Sequence, residues 1–120
     1  MPVRTKSIYA EPSRDDGERV LATSYWPRGV TRERAGTYIH ALAPSRDLVR
    51  AFKDGNVPWT EFRRRYLAEM RGERQRLEIA HLAGLARAKT VTVMCMCPDD
   101  RHCHRRLLGG LIEKEAARSG

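Results

Sequence analysis

The stretch Thr90-Val-Thr-Val-Met-Cys95 decides the fold of this chain. Its β-branched and apolar side chains suit a buried, pleated strand, so we predict a central strand that ends at Cys95. All three cysteines lie between this point and Arg106, in a segment that leads into a last helix bearing Leu107, Leu108, Leu111 and Ile112. A strand end that leads into a helix is where α/β proteins commonly place their chemistry.

The rest of the chain predicts short strands and several helices around that strand. Residues 3–9 and 19–25 have strand character and are expected as a hairpin or as neighbours in the sheet. Helices are expected at four places: after Thr31 through Tyr38 and Leu42, over 46–53 with Ser45 as N-cap, after Pro58 along the aromatic stripe Trp59, Phe62 and Tyr66, and over 73–87. We therefore predict a small three-layer α/β domain over residues 1–120, in which helices flank a short central sheet.

The charge of the chain favours anionic partners. It has 23 lysines and arginines against 15 acids, a formal charge of +8. We expect an anionic small molecule such as a phosphorylated metabolite or a nucleotide, and nucleic acid is a second possibility. A basic, solvated surface with no binding role would explain the same composition.

The sequence also argues against several classes of protein. No apolar run approaches the roughly 20 residues that cross a bilayer, and residues 1–19 lack the apolar core of a signal peptide. We therefore expect a cytoplasmic protein without a membrane partner, and closely spaced cysteines agree with a reducing compartment. The motifs of a dinucleotide-binding fold, a P-loop and a serine nucleophile elbow are missing from the sequence.

The surroundings of Cys103 favour a reactive thiol. One of the two preceding aspartates is a good N-cap, which places Cys103 in the first turn of the last helix, where the helix dipole favours a thiolate. We predict Cys103 as the catalytic nucleophile, His104 (or His102) as the group that tunes it, and Arg105 as the ligand of a negatively charged group. The spacing to the apolar positions 107 and 111 is also compatible with a buried, inert cysteine.

The remaining cysteines allow two further interpretations. Cys95 or Cys97 is a candidate resolving thiol for Cys103. The same three cysteines, with His104 or His102, also form an alternative metal set for zinc or iron. The spacing differs from the usual zinc-finger patterns, so we do not favour a metal, and the sequence identifies no cofactor.

Two arginines outside this segment are candidate anion ligands. Arg28 lies in the glycine-bounded loop Trp26-Pro-Arg-Gly29, and Arg19 opens the second predicted strand. Together with Arg105 they form the predicted anion-binding set, because a guanidinium can grip a phosphate or carboxylate through two hydrogen bonds.

Several of these motifs together resemble the DUF488 family, in its YeaO-like branch. The resemblance rests on Arg19-Val-Leu, Trp26-Pro-Arg-Gly29, Pro44-Ser45 with Leu48 and Phe52, and Trp59-x2-Phe62-x3-Tyr66-x2-Glu69. It extends over residues 3–114, and Cys103-His104-Arg105 resembles the ending of the wider group. It implies a compact α/β domain and, because the family is uncharacterised, no particular activity.

Overall fold

The computed structural model describes residues 3–96 and 103–118. Within them the strands are β1 (Val3–Ser7), β2 (Glu18–Leu21), β3 (Thr37–Tyr38) and β4 (Val91–Cys95). The helices are α1 (Arg32–Ala35), α2 (Arg46–Lys53), α3 (Trp59–Glu69), α4 (Glu73–Ala86) and α5 (His104–Arg118), and 3₁₀ turns span Arg14–Asp16 and His40–Leu42. None of the helices in these residues is long and apolar enough to cross a membrane.

The strand β4 lies inside the sheet, as the sequence predicts. The strand order is β1-β4-β2-β3, and all three pairings are parallel. Val91 pairs with Val3 on one side and with Glu18 on the other. The expectation of a hairpin or adjacent pair between the first two strands is therefore wrong. β4 takes the place between them because every one of its residues is buried, and a strand enclosed on both faces is built mainly of apolar and β-branched residues.

Helices cover both faces of the sheet, which confirms the predicted three-layer α/β fold. On one face α3, α4 and α5 enclose the larger core, which includes Val20, Val93, Phe62, Leu82 and Leu108. The other face is covered by α1 and the loop before it, around the buried cluster Ile8, Leu21, Val30, Ala35 and Met94. Because side chains alternate along a strand, Cys95 shares the face of Val93 and lies opposite Thr92.

The local signals explain most of the helix starts. Ser45 caps α2 as predicted, and its Oγ accepts a hydrogen bond from the backbone N–H of Leu48 at 3.2 Å. The aromatic stripe of α3 belongs to the core, and both Phe62 and Tyr66 are buried.

The helix expected from Thr31 to Leu42 is wrong in its second half. Thr31 does cap α1, but the helix ends at Ala35 because Gly36 adopts a φ of 69°. A side chain at Gly36 would collide with the carbonyl of Arg19, so the glycine lets the chain approach β2 closely. The following residues then pair with β2 as β3.

Candidate active site

Cys95 and Cys103 meet at the carboxyl edge of the sheet. Cys95 is the last residue of β4, and Cys103 directly precedes α5. Their Sγ atoms are 2.6 Å apart, and both residues are thiols rather than halves of a disulfide. Both side chains are almost fully buried. The predicted junction of strand and helix therefore brings two thiols into direct contact.

His104 connects the second thiol to β2. Its Nε2 lies 2.5 Å from the carbonyl oxygen of Ala22, the residue after β2. A carbonyl can only accept, so Nε2 carries the hydrogen and Nδ1 of the neutral ring is left as an acceptor. Nδ1 lies 3.9 Å from the Sγ of Cys103. This arrangement places the Nδ1 of His104 beside that thiol.

Tyr66 forms the floor beneath the imidazole. Its ring centre is 5.6 Å from that of His104, and its hydroxyl donates to the carbonyl of Leu42 at 2.7 Å. Burial raises the pKa of the Tyr66 phenol well above its usual value, and the charges of Cys103, Glu69 and Cys95 raise it further. Tyr66 therefore remains protonated and donates a hydrogen bond to the Leu42 carbonyl beneath the site.

Arg105 places a positive charge beside the thiol of Cys95. Its side chain is buried, and Nη1 donates to the Sγ of Cys95 at 3.3 Å. A guanidinium this close to a sulfur favours the thiolate over the thiol. The predicted set Cys103, His104 and Arg105 is thus brought together around Cys95. The candidate roles of Cys97 and His102 fall on positions outside the described residues.

A cavity of about 280 Å³ opens above Cys103 and His104. The other described residues that line it come from the loop after β2, from α2 and α3, and from neighbouring positions: Thr23, Ser24, Tyr25, Pro44, Val49, Phe52, Lys53, Phe62 and Met96. Its walls are mostly apolar. Cys103 is 1% exposed and yet lines this cavity, so it is both buried, as its helical spacing allows, and directed at a space that can hold a small molecule.

The wall that α2 contributes has no counterpart in the sequence predictions. Val49 and Lys53 line the cavity, and the guanidinium of Arg46 lies 4.8 Å from the ring centre of Tyr25, another lining residue. Positions 46, 49 and 53 share one helix face. The pattern of cation, apolar residue and cation at this spacing is visible in the sequence, but it becomes informative only once α2 is known to pack beside the cysteines.

Comparison with known proteins identifies the family. A family model described as the active DUF488-N3 subclade matches residues 3–116. The chain belongs to the DUF488 family. The uncharacterized protein YeaO of Escherichia coli is 28% identical over 110 residues, which cover 90% of this chain and 94% of that protein. The uncharacterized protein Rv3073c of Mycobacterium tuberculosis is 30% identical over 92 residues, which cover 75% and 78% of the two chains. No solved structure gives a significant match.

These matches confirm the resemblance to the YeaO-like branch of DUF488. They extend over the predicted motifs, and the family model includes both described cysteines. The names of these relatives state no activity, so only the geometry of this DUF488 site bears on its chemistry.

Two of the predicted anion ligands of this DUF488 chain lie away from the thiols. Arg19 pairs with the carboxylate of Asp16 and donates to the carbonyl of Arg34 at 2.9 Å, on the face of the sheet opposite Cys95. Arg28 is exposed in the loop after β2 and is not among the described residues that line the cavity. Of the three predicted arginines, Arg105 is the one at the site.

Cys95, Cys103 and His104 also form a possible metal set. Their ligand atoms lie within 4.8 Å of one another, and all three side chains are buried. Two sulfurs on one tetrahedral zinc, each about 2.3 Å from the metal, are separated by about 3.8 Å. The two sulfurs lie closer together than this, at 2.6 Å. The further predicted ligand, Cys97, falls outside the described residues.

Proposed function

We propose that this chain is a thiol-dependent enzyme in which Cys103 attacks a small, negatively charged substrate. The observation that carries the proposal is the position of Cys103, which lines the cavity while its sulfur adjoins both the acceptor nitrogen of His104 and a second thiol. The description of the matched subclade as active favours chemistry at these residues over a purely structural role.

The surrounding groups support nucleophilic attack. His104 can accept the proton of Cys103 through Nδ1 because its Nε2 is held by the Ala22 carbonyl. The N-terminal end of α5 adds a partial positive charge that stabilises the thiolate. Arg105 places a full positive charge beside the neighbouring sulfur, within the same buried cluster.

Charges at the mouth of the cavity favour an anionic substrate. Lys53 lines the cavity, and the guanidinium of Arg46 lies over the ring of Tyr25, another lining residue. No carboxylate occurs among the described lining residues. A phosphorylated or carboxylated metabolite would therefore meet cations at the entrance and apolar walls inside, a combination typical of small-molecule sites.

Alkylation kinetics test this proposal. Iodoacetamide should label Cys103 at pH 6.5–7.5 about tenfold faster than it labels the same cysteine in the urea-unfolded chain, because the site favours the thiolate. Peptide mapping by mass spectrometry assigns the label to Cys103, and Cys103→Ser should abolish that fast phase. Labelling of Cys103 at or below the rate of the unfolded chain would show that the thiol is an inert core residue.

Metal binding is a second candidate, favoured by the three buried ligand atoms within 4.8 Å. Protein purified without a histidine tag should then contain one zinc or iron ion per chain, and Cys95→Ser should lower the metal content. Elemental analysis that finds less than a tenth of an equivalent of either metal would dismiss this candidate.

A further inference from the structure

The two thiols are placed as a redox pair. Their sulfurs are 2.6 Å apart, whereas a disulfide bond is about 2.05 Å long. Two sulfurs held in direct contact at the end of β4 and just before α5 can form a disulfide without rearrangement of either element.

The two sulfurs are not equivalent. Cys103 lines the cavity and adjoins His104, so a molecule in the cavity meets Cys103 first. Cys95 ends the central strand, is fully buried and receives the hydrogen bond of Arg105. The geometry thus gives Cys103 the position of the thiol that attacks the substrate. Cys95 has the position of the resolving thiol, which attacks the Sγ of Cys103 in a second step.

We propose that this pair carries out thiol–disulfide exchange with small disulfides that bear negative charge. The inference rests on the proposed function, because it uses Cys103 as the nucleophile, and it names the substrate class. The cavity of about 280 Å³ limits the substrate to a small molecule. Lys53 in the cavity lining, and Arg46 over the ring of the lining residue Tyr25, favour carboxylate-bearing disulfides.

The exchange balances in two steps. The Cys103 thiolate attacks one sulfur of the substrate disulfide, forms a mixed disulfide with that half and expels the other half as a thiolate. The Cys95 thiolate then attacks the Sγ of Cys103, forms the internal disulfide and expels the second thiolate. The substrate is reduced to two thiols and the protein is oxidised by two electrons. A small dithiol such as dithiothreitol returns the protein to its reduced state.

The experiment compares two probes of matched length, 3,3′-dithiodipropionate (a dianion) and cystamine (a dication). Each probe is mixed with the reduced chain at pH 7, and the rate for each is divided by its rate with the urea-unfolded chain to remove intrinsic reactivity. We expect a Cys95–Cys103 disulfide in peptide maps prepared without reductant, and a normalised rate about tenfold higher for the dianion. Equal normalised rates would overturn the substrate class.

Variants assign the steps. Cys95→Ser should stop at the mixed disulfide on Cys103, while Cys103→Ser should form neither product. Cys97→Ser should still form the internal disulfide, and its failure to do so would assign the second step to Cys97 and overturn the role of Cys95. Lys53→Glu should reduce the preference for the dianion roughly threefold. Arg32→Glu makes the same charge change on α1, which covers the opposite face of the sheet, and should leave the preference unchanged.

The failure of this inference is distinguishable from the failure of the proposed function. Fast alkylation of Cys103 together with a wild-type protein that retains the mixed disulfide would reject the exchange and leave the nucleophile in place. Slow alkylation of Cys103 would reject both.

Discussion

At the scale of the residue, the two ring nitrogens of His104 face different partners. Nε2 donates to the Ala22 carbonyl, and Nδ1 faces the Cys103 thiol. His104→Gln keeps an N–H for the carbonyl and removes the proton acceptor. We expect the alkylation rate of Cys103 to fall about tenfold at pH 7 and the rise of that rate to move to higher pH, as follows when a thiol loses its base.

His40 provides the matched control for that variant. Its Nε2 also lies 3.2 Å from a backbone carbonyl, that of Ser24, but its ring packs against Tyr38 rather than against the thiols. His40→Gln should leave the rate and its pH profile unchanged. A fall of similar size in both variants would mean that the effect comes from general loosening of the fold.

At the scale of the element, α2 forms one wall of the cavity and is held in place by its N-cap residue, Ser45. Besides capping the helix, Ser45 donates from its backbone N–H and its Oγ to the carboxylate of Glu69 at the end of α3, at 2.8 and 2.7 Å. Ser45→Ala should lower the free energy of unfolding by about 1–2 kcal/mol, since it removes a cap and one of these bonds. Urea denaturation measures the change.

A double-mutant cycle separates the cap from the link between helices. Glu69→Gln alone should cost less than Ser45→Ala, and the two changes together should cost less than their sum because they share a bond. Strict additivity would show that the contact with Glu69 contributes nothing to holding α2 against α3.

Elements with local signals are the ones that the sequence predicts well. The start of α2 follows from Ser45, and β4 follows from its unbroken β-branched run. By contrast, β3 is two residues long and forms because Gly36 lets the chain approach β2, a long-range pairing with no local periodicity. The strand order escapes prediction for the same reason, because no local pattern states which strands pair.

At the scale of the whole molecule, some parts of the candidate site can be predicted from local sequence and others cannot. Cys103, His104 and Arg105 are neighbours in sequence at a helix start, so their grouping is predictable. The cavity depends on how α2 packs beside the sheet, and the exclusion of Arg19 depends on which face of β2 it occupies. Tertiary packing decides both, and neither is encoded in a spacing.

The same Arg19 belongs to a charged cluster that joins three strands on the far face. The fully buried carboxylate of Asp16 forms ion pairs with Lys6, at 3.1 Å, and with Arg19. The backbone carbonyl of Asp16 accepts a hydrogen bond from the Thr92 hydroxyl at 2.7 Å. Burial alone would raise the pKa of Asp16. The backbone N–H of Ser13 and the charges of Lys6 and Arg19 outweigh it and hold that pKa below its usual value.

This lowered pKa predicts how the whole fold responds to acid. The contribution of Asp16 is complete above its unfolded pKa of about 3.9 and is lost as the pH falls through the lower folded value. Asp16→Asn should lower the free energy of unfolding by about 3 kcal/mol at pH 7, and the difference from wild type should shrink as the pH falls below about 4 and through the lower folded pKa. Glu61→Gln is the control, because Glu61 pairs with Arg64 and Arg65 on the surface, where solvent screens the gain. Thermal unfolding measured from pH 7 into the acid range would contradict the prediction if the difference between Asp16→Asn and wild type did not shrink on acidification, or if the control showed an equal loss.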